Sequence, residues 1–354
     1  MKHNFSYKAL SIALLGVLII FSNCEQKGRS LGSGNNIITL ADSVLWQNVG
    51  KQVENILGNE QYTPQPEPVF FLSLNKPESI GKFKRFPQIL LVGTLDQQGQ
   101  TQNLLDQLLP PGSRGRQMVE NDERFFFPVQ NPWSRDQLLV VLVSRDLETL
   151  QKHLADKPDD LFNTFDTHAN ERATQQIYYT HEQKNLEHHF FQNYGWSIRV
   201  PNEYFISADS GKTGFVWLRR VGPKSLLRDM FIYREKITDP SVLSKEWIIS
   251  KRDSLTNRYY QGDYIYSDSL ITVREKLINF NNRYAIQVEG VWQNEKLMIG
   301  GPFRSIAFYN EGDDYIYILD GSVWAPEQRK WPYLRQLDII LHTFKTVNEP
   351  AIQE

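Results

Sequence analysis

The second half of the chain constrains the fold most, because strand-like segments follow one another there with turn-forming residues between them. Apolar and polar residues alternate within each segment, and turn signals lie at 281–282, 293–295 and 311–313. Alternation with a period of two is typical of half-buried strands. The sequence therefore predicts a large antiparallel sheet, with strands at 194–201, 214–220, 230–237, 270–276, 284–292, 305–309 and 315–321.

Two segments in this half have helical rather than strand periodicity. Apolar residues recur at helical spacing over 241–260 and again over 332–346. Each stripe is that of a helix lying on a sheet. We predict a C-terminal domain over 194–348 with an α/β/α sandwich, followed by a tail at 349–354.

The first half predicts a second α+β domain, over 37–157. A strand at 37–41 is followed by a helix, an extended Pro-Gln-Pro-Glu-Pro run, and further strands and helices. This order suggests helices on one face of a mainly antiparallel sheet. The predicted fold class is thus α+β, with two domains that each have a mainly antiparallel sheet and packed helices.

A long polar segment lies between the two domains. No proline or glycine occurs from 159 to 193, and a partial apolar stripe runs through it, so we predict one connecting helix over 158–193. His181, His188 and His189 fall on this segment. Its His-Glu-Gln-Lys-Asn run lacks the second histidine of the HExxH zinc motif, so we predict neither a metal site nor a cofactor.

The N-terminus carries the clearest functional signal. Lys2 and Lys8 precede an apolar run over 9–21, which is shorter than the roughly 20 residues that span a bilayer and fits a signal peptide over 1–23. Cys24, the single cysteine, follows directly and resembles the lipidated cysteine of bacterial lipoproteins. A plain secretory peptide or an uncleaved anchor is the alternative. Residues 24–36 are rich in Gly and Ser and predict a flexible tether.

The order of several motifs is similar to that of the Bacteroidota lipoprotein family DUF4837. These motifs are the lipoprotein start, the Pro-Gln-Pro-Glu-Pro run, the sequence Gly-Trp-Ser-Ile-Arg-Val-Pro at 195–201, Gly-Gly-Pro-Phe at 300–303, and Trp-Ala-Pro-Glu-Gln-Arg-Lys at 324–330. The resemblance implies a cell-envelope location, with the periplasmic face of the outer membrane as the default and surface exposure left open. It implies no chemistry. The C-terminal domain separately resembles the PsbP/Mog1 sandwich.

Composition excludes several functional classes. With 39 basic and 41 acidic residues the net charge is −2, so no nucleic-acid partner is expected. One cysteine excludes an intramolecular disulfide framework, and no Gly-x-Ser-x-Gly motif is present. The acidic residues Asp313, Asp314 and Asp320 are interpreted as solvated turn residues. The basic residues of the 219–228 region, Arg219, Arg220 and Arg228, are interpreted as a solvated sheet edge.

Three tryptophans remain as candidate ligand-facing residues. Trp217, Trp292 and Trp324 all lie on predicted strands of one sheet. They either pack in the core or line a cleft for a small apolar molecule, a peptide or a glycan. We expect a non-catalytic envelope lipoprotein that is anchored through Cys24 and acts in binding or assembly with an envelope protein or polymer. The alternative is a hydrolase or transferase of an envelope polymer, with its site between the two domains.

Overall fold

The computed structural model describes residues 27–347. Cys24, the predicted signal peptide at 1–23 and the predicted tail at 349–354 lie outside the described residues. Within 27–347, no helix is both long enough and apolar enough to cross a membrane.

The first domain contains strands β1 to β7 and helices α1 to α4. The strands are β1 (Asn36–Leu40), β2 (Glu60–Gln61), β3 (Glu67–Pro68), β4 (Phe71–Asn75), β5 (Gln88–Thr94), β6 (Phe126–Gln130) and β7 (Leu138–Ser144). The helices are α1 (Ser43–Leu57), α2 (Gln100–Leu108), α3 (Arg114–Glu120) and α4 (Leu147–Asp156), and a 3₁₀ segment covers Pro77–Phe83.

The first sheet has the order β4-β1-β5-β7-β6 and is mainly parallel, so the predicted antiparallel sheet is wrong for this domain. β1 pairs parallel with β4 and β5, β5 pairs parallel with β7, and only the edge strand β6 is antiparallel. Every residue of β5 and β7 is buried. Continuous apolar strands of this kind are typical of parallel sheets covered on both faces.

Helices lie on both faces of the first sheet, not on one face as predicted. Leu90 and Val92 of β5 belong to the core cluster that contains α1 and α4, whereas Ile89 and Leu91 belong to the cluster that contains α2. The two sets alternate along the strand because successive side chains point to opposite faces.

The predicted connecting helix is interrupted. Helix α5 (Pro158–Ile177) ends before residue 178, and α6 (Lys184–Tyr194) starts a new helix. Between them, His181 has a φ of 134°, and Gln183 N–H donates to the Val200 carbonyl at 2.8 Å. Pairing with the chain at 200–202 thus replaces the helical hydrogen bonds, although no proline or glycine marks the break.

The second domain contains strands β8 to β17 and helices α7 and α8. The strands are β8 (Trp196–Ser197), β9 (Phe205–Ser210), β10 (Phe215–Val221), β11 (Leu227–Lys236), β12 (Tyr264–Tyr266), β13 (Arg274–Phe280), β14 (Arg283–Asn294), β15 (Ile299–Asn310), β16 (Tyr315–Trp324) and β17 (Lys345–Thr346). The helices are α7 (Lys245–Tyr259) and α8 (Trp331–Leu341), with 3₁₀ segments at Gly211–Thr213, Pro223–Ser225 and Pro240–Val242.

The second sheet confirms the predicted antiparallel sandwich. Its order is β12-β14-β15-β16-β11-β10-β9, β13 pairs beside β12 on β14, and every pairing in it is antiparallel. One face packs against α7. The other face packs against α8 and the connecting helices. The fold class is therefore α+β, with an α/β/α arrangement in the C-terminal domain.

The two domains share a continuous hydrophobic core that runs from Ile37 to Phe344. Polar contacts reinforce the junction at the start of α8. The Glu67 carboxylate accepts hydrogen bonds from the backbone N–H groups of Lys330 at 2.8 Å and Trp331 at 3.0 Å. A carboxylate at a helix N-terminus satisfies free N–H groups and interacts favourably with the helix dipole. The first domain thus caps a helix of the second.

The predicted tether at 24–36 is largely docked rather than free. Ser30 is 3% exposed, and its Oγ accepts a hydrogen bond from Arg172 Nη1 on α5 at 2.6 Å. Its backbone N–H donates to the Arg135 carbonyl at 2.9 Å. Asn36 already belongs to β1. Composition suggested flexibility here, but backbone pairing and the buried arginine hold residues 28–36 against the first domain.

Candidate functional site

The face of the second sheet under α7 combines aromatic side chains with buried charges. Asp229 on β11 is 4% exposed and accepts hydrogen bonds from Trp217 Nε1 at 2.9 Å and from Arg219 Nε at 2.7 Å. Burial raises the pKa of Asp229 above its usual value, while the bonds from Arg219 and Trp217 oppose this shift. The carboxylate is buried with its counter-charge beside it.

A second buried ion pair lies next to the first. Asp320 on β16 is fully buried and accepts from Arg252 Nε of α7 at 2.8 Å and from Ser305 Oγ at 2.6 Å. The Arg252 guanidinium also lies 3.8 Å from the Phe303 ring centroid. Charges buried in a core cost free energy unless they are paired and hydrogen-bonded. This helix–sheet interface is thus held in one arrangement by specific polar contacts.

A small interior cavity of about 60 Å³ lies beside these pairs. We call it the tryptophan pocket. Its walls are Trp217, Arg219, Leu227, Tyr260, Gln261, Asp263, Trp292, Leu297 and Ile299. The rings of Trp217 and Tyr260 stack at 4.1 Å, and the Arg219 guanidinium lies 4.4 Å from the Trp217 ring.

The tryptophan pocket contains polar groups that the protein leaves without partners. Tyr260 and Trp292 are 4% and 3% exposed. Among the described residues, neither Tyr260 Oη nor Trp292 Nε1 finds a hydrogen-bond partner. Leaving a buried polar group unpaired costs about 1–3 kcal/mol. A single water needs about 10–15 Å³, so the pocket has room for ordered water or for a small group of a ligand.

Asp263 is the titratable wall of the tryptophan pocket. Burial raises its pKa to about 6, although the hydrogen bond from Asn294 Nδ2, at 2.6 Å, acts in the opposite direction. The turn that places it needs a left-handed backbone at Gln261 and Gly262, with φ of 64° and 107°. Glycine adopts this conformation without steric cost. The carboxyl of Asp263 can therefore accept or donate a hydrogen bond near neutral pH.

An open apolar groove of about 580 Å³ shares Trp292 and Ile299 with the tryptophan pocket. Residues from the 295–298 turn line both spaces. Leu297 and Met298 of this turn are 51% and 87% exposed, and Leu297 N–H donates to Asn294 Oδ1 at 3.0 Å. The remaining walls of the groove are Pro64, Tyr266, Ile271, Val291, Gln293, Asn294, Glu295, Gly300 and Gly301.

The structure brings the three sequence-predicted tryptophans onto one face of the sheet. Trp217 is 6% exposed and, like Trp292, belongs to the core; both line the tryptophan pocket, and Trp292 also lines the open groove. Trp324 is half-buried against the same cluster but does not line the pocket. Cys24, the predicted lipidation site, lies outside the described residues.

Sequence reasoning missed the charged part of this site. Arg219 and Arg228, interpreted as a solvated edge, bind Asp229 and Gln336 instead. Asp320, interpreted as a turn residue, is buried in β16. A signal was present, because Asp320 continues the alternation of Ile316 and Ile318 and therefore shares a sheet face with them.

The cavities between the two domains show a different chemistry. The larger has a volume of about 710 Å³ and includes Asp136 and Glu182, each bound to an arginine. Arg29 Nε contacts Asp136 at 2.6 Å, and Arg199 Nε donates to Glu182 at 3.0 Å. The hydrogen bond from Arg199 lowers the pKa of Glu182 to about 2. Glu182 is therefore ionised near neutral pH and paired with Arg199, so it is a poor general acid.

A second interdomain cavity, of about 490 Å³, also contains carboxylates that contact arginines, although burial raises the pKa of one of them, Asp338. Asp338 contacts Arg304, and Asp166 lies 2.8 Å from Arg335 Nη2. Among residues 27–347, no group of three or more His, Cys, Asp or Glu side chains is arranged to hold a metal ion. His189 instead contacts Asp209 at 3.0 Å.

Two family models match the chain, one for each domain. DUF4837, a domain of unknown function, matches residues 182–343, and DUF8532, another domain of unknown function, matches residues 30–178. The DUF4837 resemblance predicted from the sequence is confirmed over the C-terminal domain. The gap between the two matches coincides with the break between α5 and α6.

Similar solved structures cover less than half of this chain. They include the solution structure of cyanobacterial PsbP (CyanoP) from Synechocystis sp. PCC 6803, at 10% identity and a TM-score of 0.29, covering 44% of this chain and 88% of CyanoP. LpqN of Mycobacterium tuberculosis, described as involved in cell envelope biogenesis, is 8% identical with a TM-score of 0.28, covering 42% and 81%. A Bacteroides thetaiotaomicron VPI-5482 protein is 10% identical with a TM-score of 0.26, covering 44% and 46%. No curated protein sequence matches the chain.

Proposed function

We propose that this chain is a non-catalytic lipoprotein of the cell envelope that binds a small group of an envelope molecule in the tryptophan pocket. The observation that carries the proposal is that two buried polar atoms, Tyr260 Oη and Trp292 Nε1, have no partner among the described residues, and that both residues line a cavity with aromatic walls. Both atoms can donate a hydrogen bond. The bound group would therefore contain an oxygen acceptor, such as the carbonyl or hydroxyl of a peptide or glycan.

Binding is favoured over catalysis because Asp263, the residue of the tryptophan pocket with a raised pKa, is the single carboxyl among the residues that line this pocket. Asp229 is tied to Arg219, and the interdomain carboxylates each contact an arginine. An enzyme that cleaves a polymer needs a free acid and a base or nucleophile that converge on one bond. This arrangement gives no specific support to the alternative of a hydrolase or transferase between the domains.

The lipid anchor is the second part of the proposal. Its support is the sequence at the N-terminus, where a short apolar run over 9–21 is followed by Ser22, Asn23 and then Cys24. Diacylation of this cysteine would hold the protein at the envelope, by default on the periplasmic face of the outer membrane. Partners are then expected among envelope proteins and polymers.

Metabolic labelling tests the anchor. A fatty-acid analogue supplied to growing cells should label the wild-type chain and should not label Cys24→Ala. Persistent label in Cys24→Ala would reject the lipoprotein assignment, and absence of label in both would leave the plain secretory peptide and the uncleaved anchor.

Site-specific photo-crosslinking in cells tests the binding role. A photo-reactive amino acid at Leu297, which is 51% exposed and lines the pocket, should capture an envelope component. The control is the same amino acid at Leu277, which is 56% exposed on the edge strand β13 and lines neither space. Capture at both positions, or at neither, would contradict binding at the tryptophan pocket.

A further inference from the structure

Four exposed cations meet at the end of the first domain where the described chain begins. They are Lys27, Lys84, Arg85 and Arg135, and we call them the basic patch. Backbone contacts join the segments that carry them. Leu31 N–H donates to the Arg85 carbonyl at 2.7 Å, and Arg135 N–H donates to the Gly28 carbonyl at 3.0 Å.

Side-chain contacts join the same segments. Lys27 Nζ donates to the Asn131 carbonyl at 2.7 Å and to the Pro132 carbonyl at 3.0 Å. Ser134 Oγ donates to the Lys84 carbonyl at 2.8 Å. The patch is therefore a continuous surface made by residues 27–31, 84–86 and 131–135.

The charges of the basic patch are not neutralised by neighbouring carboxylates. Within the part of the chain that the structure describes, none of the four cations forms an ion pair, whereas the adjacent Arg29 is paired with Asp136 at 2.6 Å. The chain as a whole has a net charge of −2. The local excess of positive charge is thus a property of this surface and not of the overall composition.

Apolar groups of the type found at membrane interfaces accompany these cations. Trp133 is half-buried, with Lys84 Nζ 6.0 Å from its ring centroid. Leu31 is 56% exposed beside Arg85. Tryptophan and the long cationic side chains have an apolar part and a polar end, and they are enriched at the interface between a membrane and water.

Covalent geometry keeps this surface close to the proposed lipid anchor. Lys27 follows Cys24 by three residues, so their Cα atoms are at most about 11 Å apart. If residues 24–36 were a free tether, the Cα atoms of residues 24 and 36 could lie up to about 45 Å apart. Charges attract anionic lipids within about a Debye length, which is about 8 Å at physiological ionic strength. The docked segment thus holds the basic patch where such attraction acts.

We propose that the basic patch binds anionic phospholipid headgroups of the bilayer that holds the Cys24 lipid. The lipid anchor and the patch then act as two signals, which together give more stable attachment than one chain alone. The statement that these headgroups belong to the bilayer holding the Cys24 lipid rests on the proposed lipoprotein function. The affinity of the patch for anionic lipid does not depend on that function.

Vesicle co-sedimentation of the chain from residue 24 onward, with Cys24→Ser, tests the patch without acylation. All residues of the hydrophobic clusters lie between Ile37 and Phe344, so this chain keeps every core contact that the structure describes. We expect binding to vesicles with one anionic lipid in four and not to phosphatidylcholine alone. Each Lys or Arg replaced by Gln should weaken binding about five-fold at low salt, and about 0.5 M salt should abolish it.

A matched variant separates the patch from net charge. Lys27, Lys84, Arg85 and Arg135 are changed to Gln together in the test variant. The control variant changes four exposed lysines elsewhere to Gln, namely Lys51, Lys152, Lys276 and Lys296. The proposal predicts loss of binding in the test variant and retention in the control.

Several results would overturn the proposal. These are equal binding by the two variants, equal binding to both vesicle types, and no binding by the parent chain. If a photo-reactive amino acid at residue 85 captured an acidic protein and the chain did not bind vesicles, the patch would be assigned to a protein partner. Labelling of Cys24 decides the anchor independently. If Cys24 is labelled but the chain does not bind vesicles, only the proposal for the basic patch is rejected. If Cys24 is not labelled but the chain binds vesicles, only the lipid anchor is rejected.

Discussion

Asp263 and His168 are buried groups whose pKa values are shifted in opposite directions. Burial raises the pKa of Asp263 to about 6, and burial together with the charge of Arg172 lowers the pKa of His168 to about 4. Unfolded values are about 3.9 and 6.5. The Asp263 contribution to stability is therefore present below about pH 4 and lost as pH rises to 6. The His168 contribution is present above about pH 6.5 and lost as pH falls to 4.

These opposed terms predict how Asp263→Asn changes the pH profile. Asparagine cannot ionise, so the stability that is lost through His168 on acidification is no longer offset by a gain from Asp263 between pH 4 and 6. The free energy of unfolding should then fall more steeply on acidification than in wild type, as measured by denaturant titration at several pH values. His168→Gln should change the slope in the opposite direction. Parallel profiles for wild type and Asp263→Asn would contradict the raised pKa.

Tyr260→Phe is expected not to lower stability although the side chain is buried. Its hydroxyl has no partner among the described residues, so its removal relieves a desolvation cost and should raise the free energy of unfolding by up to about 1–3 kcal/mol. Tyr317→Phe is the matched control. Tyr317 is fully buried but donates to Asp313 Oδ2 at 2.6 Å, and its loss should cost about 1–2 kcal/mol. Equal losses in urea denaturation would show that Tyr260 has a partner within the protein.

Of the residues that form the tryptophan pocket, only the tryptophans could be predicted from the sequence. Trp217 and Trp292 stood out because tryptophan is a rare and large residue and both lie on predicted strands of one sheet. Tyr260, Asp263 and Arg219 did not, because their significance comes from burial and pairing across strands. Asp229 and Arg219 are ten residues apart along the chain, yet they lie opposite each other in the β10–β11 register. Pairing of this kind depends on strand register, which the sequence pattern defines loosely.

At the level of elements, helix α8 depends on a residue from the other domain. Glu67→Ala removes the carboxylate that accepts from Lys330 and Trp331 N–H, and should lower the free energy of unfolding by about 1–2 kcal/mol. Glu60→Ala is the control, because Glu60 is exposed and makes no ion pair among the described residues. Urea denaturation measures both. A loss that is no larger for Glu67→Ala than for Glu60→Ala would refute the capping role.

Element positions were predictable where periodicity was strong, and pairing direction was not. Helices α7 and α8 and most strands of the second sheet lie close to their predicted positions, namely β10, β11, β14, β15 and β16. Strand β13 begins four residues later than predicted, β9 and β12 were not predicted, and the predicted strand at 194–201 is reduced to β8 in a separate two-stranded sheet. In the first domain the strands were also located, but the parallel pairing of β1, β4, β5 and β7 went unrecognised. The continuous apolar runs within β5 and β7, at 89–92 and 138–143, were the available signal. The break before α6 gave no signal, because a tertiary contact with residues 200–202 causes it.

At the level of the whole molecule, a shared core joins two family domains into one body. The continuous cluster from Ile37 to Phe344 and the cap from Glu67 connect them. The docked segment at 28–36 brings the folded body close to residue 24. This arrangement places the tryptophan pocket under α7 of one domain and the basic patch on the other. The proposed function is that of a protein held at an envelope surface that binds through its second domain.

Native mass spectrometry of the chain purified from its own envelope tests the central claim most directly. The unpartnered atoms Tyr260 Oη and Trp292 Nε1 predict that wild type, released under mild detergent, carries a bound small molecule. A Tyr260→Phe/Trp292→Phe variant should lose most of this mass, while the exposed control Tyr284→Phe should keep it. Wild type without bound mass, or equal retention by the double variant, would contradict a ligand site in the tryptophan pocket.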